Sequence, residues 1–123
     1  MDRLFIEKTR FTPHIDFALE HPLVMQGESY PENTAEFYAP VMAWLKQALA
    51  EEGNLILNME IIYFNSSSSK VFLDLFDTLE DAAKDGKNIT VNWIYDAEND
   101  SALEYGEEFK EDLEHLTFNL VCK

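Results

Sequence analysis

The side chains best suited to chemistry lie in one run, Asn65-Ser66-Ser67-Ser68-Ser69-Lys70. A serine hydroxyl can attack a substrate, hold an anion, cap a helix or accept a phosphoryl group, and its neighbours decide among these. A nucleophile elbow needs glycines beside the serine for its tight bend, and none lies between Asn65 and Lys70. It also needs a positioned histidine, and the three histidines, His14, His21 and His115, fall in or near turn signals. A phosphate-cradling loop needs glycines and ends in lysine followed by serine or threonine; here the serines precede Lys70. Capping is the default reading, because Ser and Asn accept hydrogen bonds from the first turn of a helix, for about 1 kcal/mol. One cap accounts for one or two of these residues, but not for four serines in a row. Phosphorylation is the remaining option. A phosphoryl group adds about −1.5 to −2 charges and three acceptor oxygens. Where a partner docks, a penalty of about 1.4 kcal/mol already weakens binding tenfold.

The flanking residues place this run at a strand-to-helix turn. Asn54 to Phe64 is the longest strand candidate. Leu55, Leu57, Met59, Ile61 and Tyr63 alternate on one face, with Ile56, Ile62 and Phe64 on the other, which predicts a central strand covered on both sides near its end. From about Ser67 to Lys84 the apolar spacing turns helical, through Val71, Leu75, Leu79 and Ala82. Such a turn lies where binding sites of α/β sheets gather, and a helix start favours an anion.

Upstream, Leu4–Lys8, the alternating Ile15, Phe17 and Leu19, and Leu23–Gln26 read as three short strands, with Gly27–Pro31 as a loop. Asn33 and Glu36 have the spacing of a capping box. They open a helix carrying Phe37, Val41, Trp44, Leu45 and Ala48, with a kink or restart expected at Pro40 and a C-cap at Gly53. Downstream, Ile89, Val91, Trp93 and Tyr95 alternate as a strand. An acidic helix then begins at Asn99 or Ser101 and runs to about Glu114, and Leu116–Cys122 forms a last strand. Helices separating strands imply parallel neighbours joined by right-handed crossovers, while the opening strands pair antiparallel through short turns. The predicted fold is therefore α/β: a mixed sheet with helices packed on it, as a single domain over residues 1–123.

The totals narrow the partners. The chain has 24 acidic and 9 basic residues, a net charge of −15. Nucleic acid and anionic membrane surfaces both need cations, so neither is an expected partner. No apolar run approaches the ~20 residues of a membrane span, and the N-terminus lacks signal-peptide features. The only cysteine, Cys122, cannot form an internal disulfide. The expectation is a soluble cytoplasmic protein without cofactor or metal. Asp96, Glu98, Asn99 and Asp100 suggest a calcium loop, but Tyr95–Ser101 lacks the glycine such a loop needs. Glu104, Glu107, Glu108 and Glu111 share a helix face, either a solvated face or a docking surface for a basic partner. Trp44, Phe72, Phe76 and Trp93 read as core. Tyr30, Phe37 and Tyr38, near a proline-rich loop, read as packing residues with an exposed anchor as the alternative.

Several segments together resemble one family. Ser29-Tyr30-Pro31-Glu32-Asn33, Phe37-Tyr38-Ala39-Pro40 and Trp44-Leu45 are similar to the S-Y-P-E-N, F-Y-x-P and W-L pattern of the SiaC family. Tyr63–Lys70 resembles its Y-x-N-T/S-S-S-x-K segment, and Val91–Asp96 and Gly106–Phe109 resemble its last two signatures. The resemblance implies a small bacterial regulatory phosphoprotein with a fold like STAS-domain anti-sigma-factor antagonists. It implies a Ser/Thr protein kinase and a PP2C-type phosphatase as partners. It also implies an effector, a diguanylate cyclase in the best-known system, activated by the unphosphorylated form in cyclic-di-GMP and biofilm control. STAS antagonists carry Asp-Ser-Ser at the corresponding turn, with the first serine phosphorylated. Matching Asn65-Ser66-Ser67 to that pattern makes Ser66 the acceptor, in a position where the family usually has threonine, with Ser67 and Ser68 as alternates. Asn65, Ser67, Ser69 and Lys70 then form the helix start around the phosphate. The expected protein is a non-enzymatic partner switch. The alternatives are a constitutive acidic interaction domain and a small serine-dependent enzyme.

Overall fold

The computed structural model describes all residues from Met1 to Lys123. Nine elements follow in the expected order: β1 (Leu4–Ile6), β2 (His14–Phe17), β3 (Leu23–Ser29), α1 (Thr34–Glu51), β4 (Asn54–Phe64), α2 (Ser66–Lys84), β5 (Asn88–Tyr95), α3 (Asp100–Glu111) and β6 (Thr117–Cys122). The six strands lie side by side in chain order. β1–β2 and β2–β3 pair antiparallel, and β3 through β6 pair parallel. Three right-handed crossovers that all step the same way leave their helices on one face. One cluster of 24 buried residues fills the space between that face and the helices. Leu57, Met59, Val91 and Trp93 supply it from the central strands, and Leu45, Phe72 and Phe76 from the helices.

The two-sided cover expected for β4 is not found. Leu55, Leu57, Met59 and Ile61 are buried, whereas Ile56 is 44% and Ile62 57% exposed on the open face. Nor do the apolar residues keep the strict alternation read for them. Gly27 pairs with Ile61 and Glu28 with Tyr63, so Ile62 is left over in a β-bulge. A bulge reverses every later side chain. Tyr63 therefore leaves the core face for solvent, 54% exposed. Phe64 turns inward against Phe72, Trp93 and Phe109.

Four other expectations are corrected. Gly27–Ser29 is not loop but the end of β3, because β4 supplies a parallel partner for its backbone. Gly27 passes through φ +134°, where a Cβ would lie 3.3 Å from the Pro13 backbone, a conformation that suits glycine. α1 does not restart at Pro40: the helix is continuous through it, with the ring on the exposed side. α1 ends on an extended Glu52 rather than on Gly53, the Glu52 N–H donating to the Ala48 carbonyl. α3 stops at Glu111: the Asp112 and Leu113 N–H groups fold back on the Lys110 carbonyl, and those of Glu114, His115 and Leu116 turn to the Glu80 side chain of α2.

Candidate functional site

The serine run sits where the sequence placed it, at the β4-to-α2 turn. Asn65 is the N-cap of α2, its Oδ1 accepting from the Ser68 N–H at 2.9 Å. Asn65 is extended, and its own N–H donates to the Ser29 carbonyl at the end of β3. The turn is thus held at both ends, by helix capping and by the neighbouring strand.

The four serines then separate by environment. Ser66 and Ser67, the first two residues of the helix, are exposed and make no side-chain hydrogen bond. Ser68 is fully buried. Its hydroxyl donates to the Ser29 carbonyl at 2.9 Å and lies 2.7 Å from Ser29 Oγ. Ser29 Oγ in turn bonds Tyr38 Oη. One proton per hydroxyl fixes the order. Ser68 gives its proton to the Ser29 carbonyl, Ser29 gives its own to Ser68 Oγ, and Tyr38 gives its own to Ser29 Oγ. No buried side-chain nitrogen or oxygen is left without a partner. Burial pushes the Tyr38 phenol up to about 12, against the opposing pull of the Ser29 bond. Tyr38 therefore stays a neutral donor. Ser69 is half-buried and Lys70 exposed, the latter without an ion pair.

This relay of Ser29, Tyr38 and Ser68 joins β3, α1 and α2 beneath the turn, and it was not legible as a unit in the sequence. Reading Gly27–Pro31 as a loop hid the inward direction of Ser29. Ser68, an alternate acceptor in the sequence and one of the serines expected to shape the helix start, has its oxygen withdrawn from solvent. Tyr38 is a packing residue, as expected, with 1% exposure.

An aromatic row borders the same turn. Phe11, Tyr30 and Tyr63 meet edge to face, with ring centroids 5.4 and 5.5 Å apart. The Tyr30 N–H donates to the Phe11 carbonyl at 2.8 Å, fixing the N-terminal loop to the exit of β3. Phe11 is 51% exposed. Phe37 packs on Tyr38 and the core instead, and the exposed members of the row are Phe11 and Tyr63.

The acidic helix face lies apart from this turn. Glu104, Glu107, Glu108 and Glu111 are all exposed and border β6 at Leu120. The calcium-loop residues likewise do not converge: Asp96 accepts from the Glu98 N–H, and Asn99 caps α3. No group of three or more His, Cys, Asp or Glu side chains gathers as a metal site.

The arrangement holds one pair of free hydroxyls rigidly at a helix start, beside exposed aromatic rings. It offers no histidine or carboxylate hydrogen-bonded to those hydroxyls. Comparisons with known proteins point to one family. The model of the SiaC family of regulatory phosphoproteins matches residues 6–123. An uncharacterised protein of Pseudomonas aeruginosa strain UCBPP-PA14 is 39% identical over 114 residues, 91% of this chain and 90% of its own. SiaC of Pseudomonas aeruginosa superposes with a TM-score of 0.92 at 35% identity, over 100% of both chains. A second solved structure is that of the P. aeruginosa diguanylate cyclase SiaD in complex with its activator SiaC. It matches with a TM-score of 0.93 at 36% identity, over 98% of this chain and 99% of that one. With its six-stranded mixed sheet and its signatures in order, this chain belongs to the SiaC family of regulatory phosphoproteins.

Proposed function

We propose that this chain is a partner-switching regulator, without turnover of its own, in which one phosphoryl group on Ser66 controls docking to a signalling protein. The observation that carries the reading is the division of the serines. Ser68 and Asn65 build the turn, while the Ser66 hydroxyl stands exposed as the first residue of α2 and serves no structural bond. A phosphate at that position meets the free N–H groups and positive end of the helix, so the fold tolerates it. A partner seated over the turn must instead accommodate or desolvate it, which is costly.

The effector is a diguanylate cyclase or a similar enzyme, by analogy with the SiaD–SiaC complex. Docking of the unphosphorylated form raises cyclic-di-GMP synthesis and so promotes biofilm formation. A Ser/Thr kinase writes the mark and a PP2C-type phosphatase removes it, in the cytoplasm and in the manner of STAS-type antagonists.

The test is phosphopeptide mapping of Tyr63–Lys70 from the native host, wild type and phosphatase-deficient, joined to cyclase pull-down with Ser66→Ala and Ser66→Asp. One phosphate on Ser66, retained binding for Ser66→Ala and lost binding for Ser66→Asp are the expected results. A phosphate on Ser67 moves the acceptor by one residue. No phosphate in any growth state, or an intrinsic catalytic activity abolished by Ser66→Ala, overturns the reading.

A further inference from the structure

Parallel strands usually have both faces covered, most often by helices. Here β3 to β6 are parallel and every helix lies on one face. The middle of the open face is adapted to water. Asn92 Nδ2 donates to Asn58 Oδ1 at 2.8 Å and Asn119 Nδ2 to Asn92 Oδ1 at 3.0 Å, an amide ladder across three strands. At the carboxyl ends of β4 and β5 the ladder gives way to apolar side chains. Ile62 and Ile94 lie on the open face of a crevice there, which Tyr95, packed toward the core side, borders at its rim and whose charged members are Glu60, Asp96, Glu98 and Lys123. The one cation is already engaged, with Lys123 Nζ 2.8 Å from Glu60 Oε2. The bulge adds a second signal. It leaves Ile62 57% exposed although valine- and isoleucine-rich strands of this kind are normally covered. The Asn99 side-chain amide donates to the Ile62 carbonyl at 3.3 Å, tying the bulge to the start of α3. Bulges that aim a side chain recur next to functional sites.

We infer that this crevice is a docking surface for an amphipathic helix of a protein partner, with aliphatic residues on one side and Lys or Arg beside them. A helix is the element that covers a sheet face, and aliphatic anchors fill the hollow over Ile62 and Ile94, with Tyr95 at its rim. The flanking cations answer Asp96 and Glu98, which no basic residue of this chain neutralises by a direct ion pair. Ile62 and Tyr63 lead directly along the chain into the serine turn, three residues before Ser66 in the case of Tyr63. The inference deepens the partner-switching reading by naming the face and the chemistry of the partner, and its test involves no phosphorylation, so either can fail alone.

The probe is a synthetic amphipathic peptide of about 18 residues with leucines at helical spacing and lysines on the polar face, against a glutamate-faced twin. The intact chain is titrated with each, and amide and methyl shifts locate the contact. Sub-millimolar binding of the lysine peptide, with shifts at Ile62, Ile94 and Tyr95 and none with the twin, is expected. Ile62→Asp separates docking from bulk attraction, because it makes the chain still more negative. Docking predicts at least about a tenfold loss of affinity, whereas unspecific attraction predicts a gain. Glu98→Lys weakens binding more than Glu111→Lys, which changes the net charge equally on α3. Ile62 is exposed, so these variants retain the far-ultraviolet circular dichroism of the parent. Unchanged or tighter binding by Ile62→Asp, shifts centred on α3, or no binding at millimolar peptide overturns the inference.

Discussion

Two serines two positions apart have opposite energetic roles here, which stability measurements can separate. The Ser68 hydroxyl both donates and accepts in the buried relay with Ser29 and Tyr38. Ser68→Ala removes the acceptor of Ser29's proton and leaves a small void. A buried hydroxyl stripped of its partner costs about 1–3 kcal/mol. Ser66 makes no such bond, so Ser66→Ala lies within about 0.5 kcal/mol of the parent. Urea denaturation of the two variants checks this, and equal midpoints would mean the relay contributes nothing. The distinction also bears on the choice of phosphoryl acceptor: a kinase reaching Ser68 must first open the junction of β3, α1 and α2. The Asn65 cap was visible in the sequence, because Asn at a strand exit followed by a helical period has a local cause. The relay was not, because it depends on which way Ser29 points, and that depends on the pairing of β3 with β4.

Element boundaries show the same limit. The order of strands and helices follows from apolar periodicity, which is local. The bulge at Ile62 and the extension of β3 through Ser29 arise only when two distant strands align, and no periodicity within one strand encodes them. The early end of α3 has a distant cause as well. Glu80 of α2 accepts from the N–H groups of Glu114, His115 and Leu116, at 2.8–3.0 Å, and from the His115 ring. Burial pushes the Glu80 carboxyl upward. The Leu116 N–H, the His115 ring and the N–H groups of Glu114 and His115 together outweigh it, and hold the carboxyl at about 2 against an ordinary 4.5. A carboxylate depressed in the fold stabilises above its unfolded value and loses that contribution as pH falls toward its folded value. Glu80→Gln is therefore less stable than the parent at neutral pH, by roughly 1–2 kcal/mol after solvent screening. The gap narrows between about pH 4.5 and 2, and a gap independent of pH would remove the clamp from the account. α3 is fixed from its other side by Gly106. A Cβ there would lie 2.5 Å from Trp93 Cδ1 and 2.7 Å from Leu120 Cδ2. Gly106→Ala improves helix propensity by up to about 1 kcal/mol. Forcing the helix off the sheet costs about 1–3 kcal/mol, so the net effect is destabilising. A raised melting temperature for Gly106→Ala would contradict that packing.

Across the whole molecule the decisive quantity is charge. A net −15 on 123 residues is opposed by four ion pairs, two of which involve a histidine. Exposed pairs contribute about 0–1 kcal/mol each. Self-repulsion among 24 carboxylates acts throughout the folded surface and is relieved as the chain expands. The same excess would make a single added phosphate a small change in the overall field, so the proposed switch works only through a local effect. Added salt screens repulsion over distances beyond about 10 Å at 0.1 M and leaves the apolar core untouched. Stability toward urea at pH 7 is thus expected to rise when sodium chloride goes from about 0.01 to 0.15 M, with the slope of the unfolding transition unchanged because the surface exposed on unfolding is the same. Binding of a basic partner runs the other way, weakening over the same range. A urea midpoint that falls with salt would show that the few attractive pairs outweigh the repulsion, and that the excess acid is arranged in the fold more favourably than its sum implies.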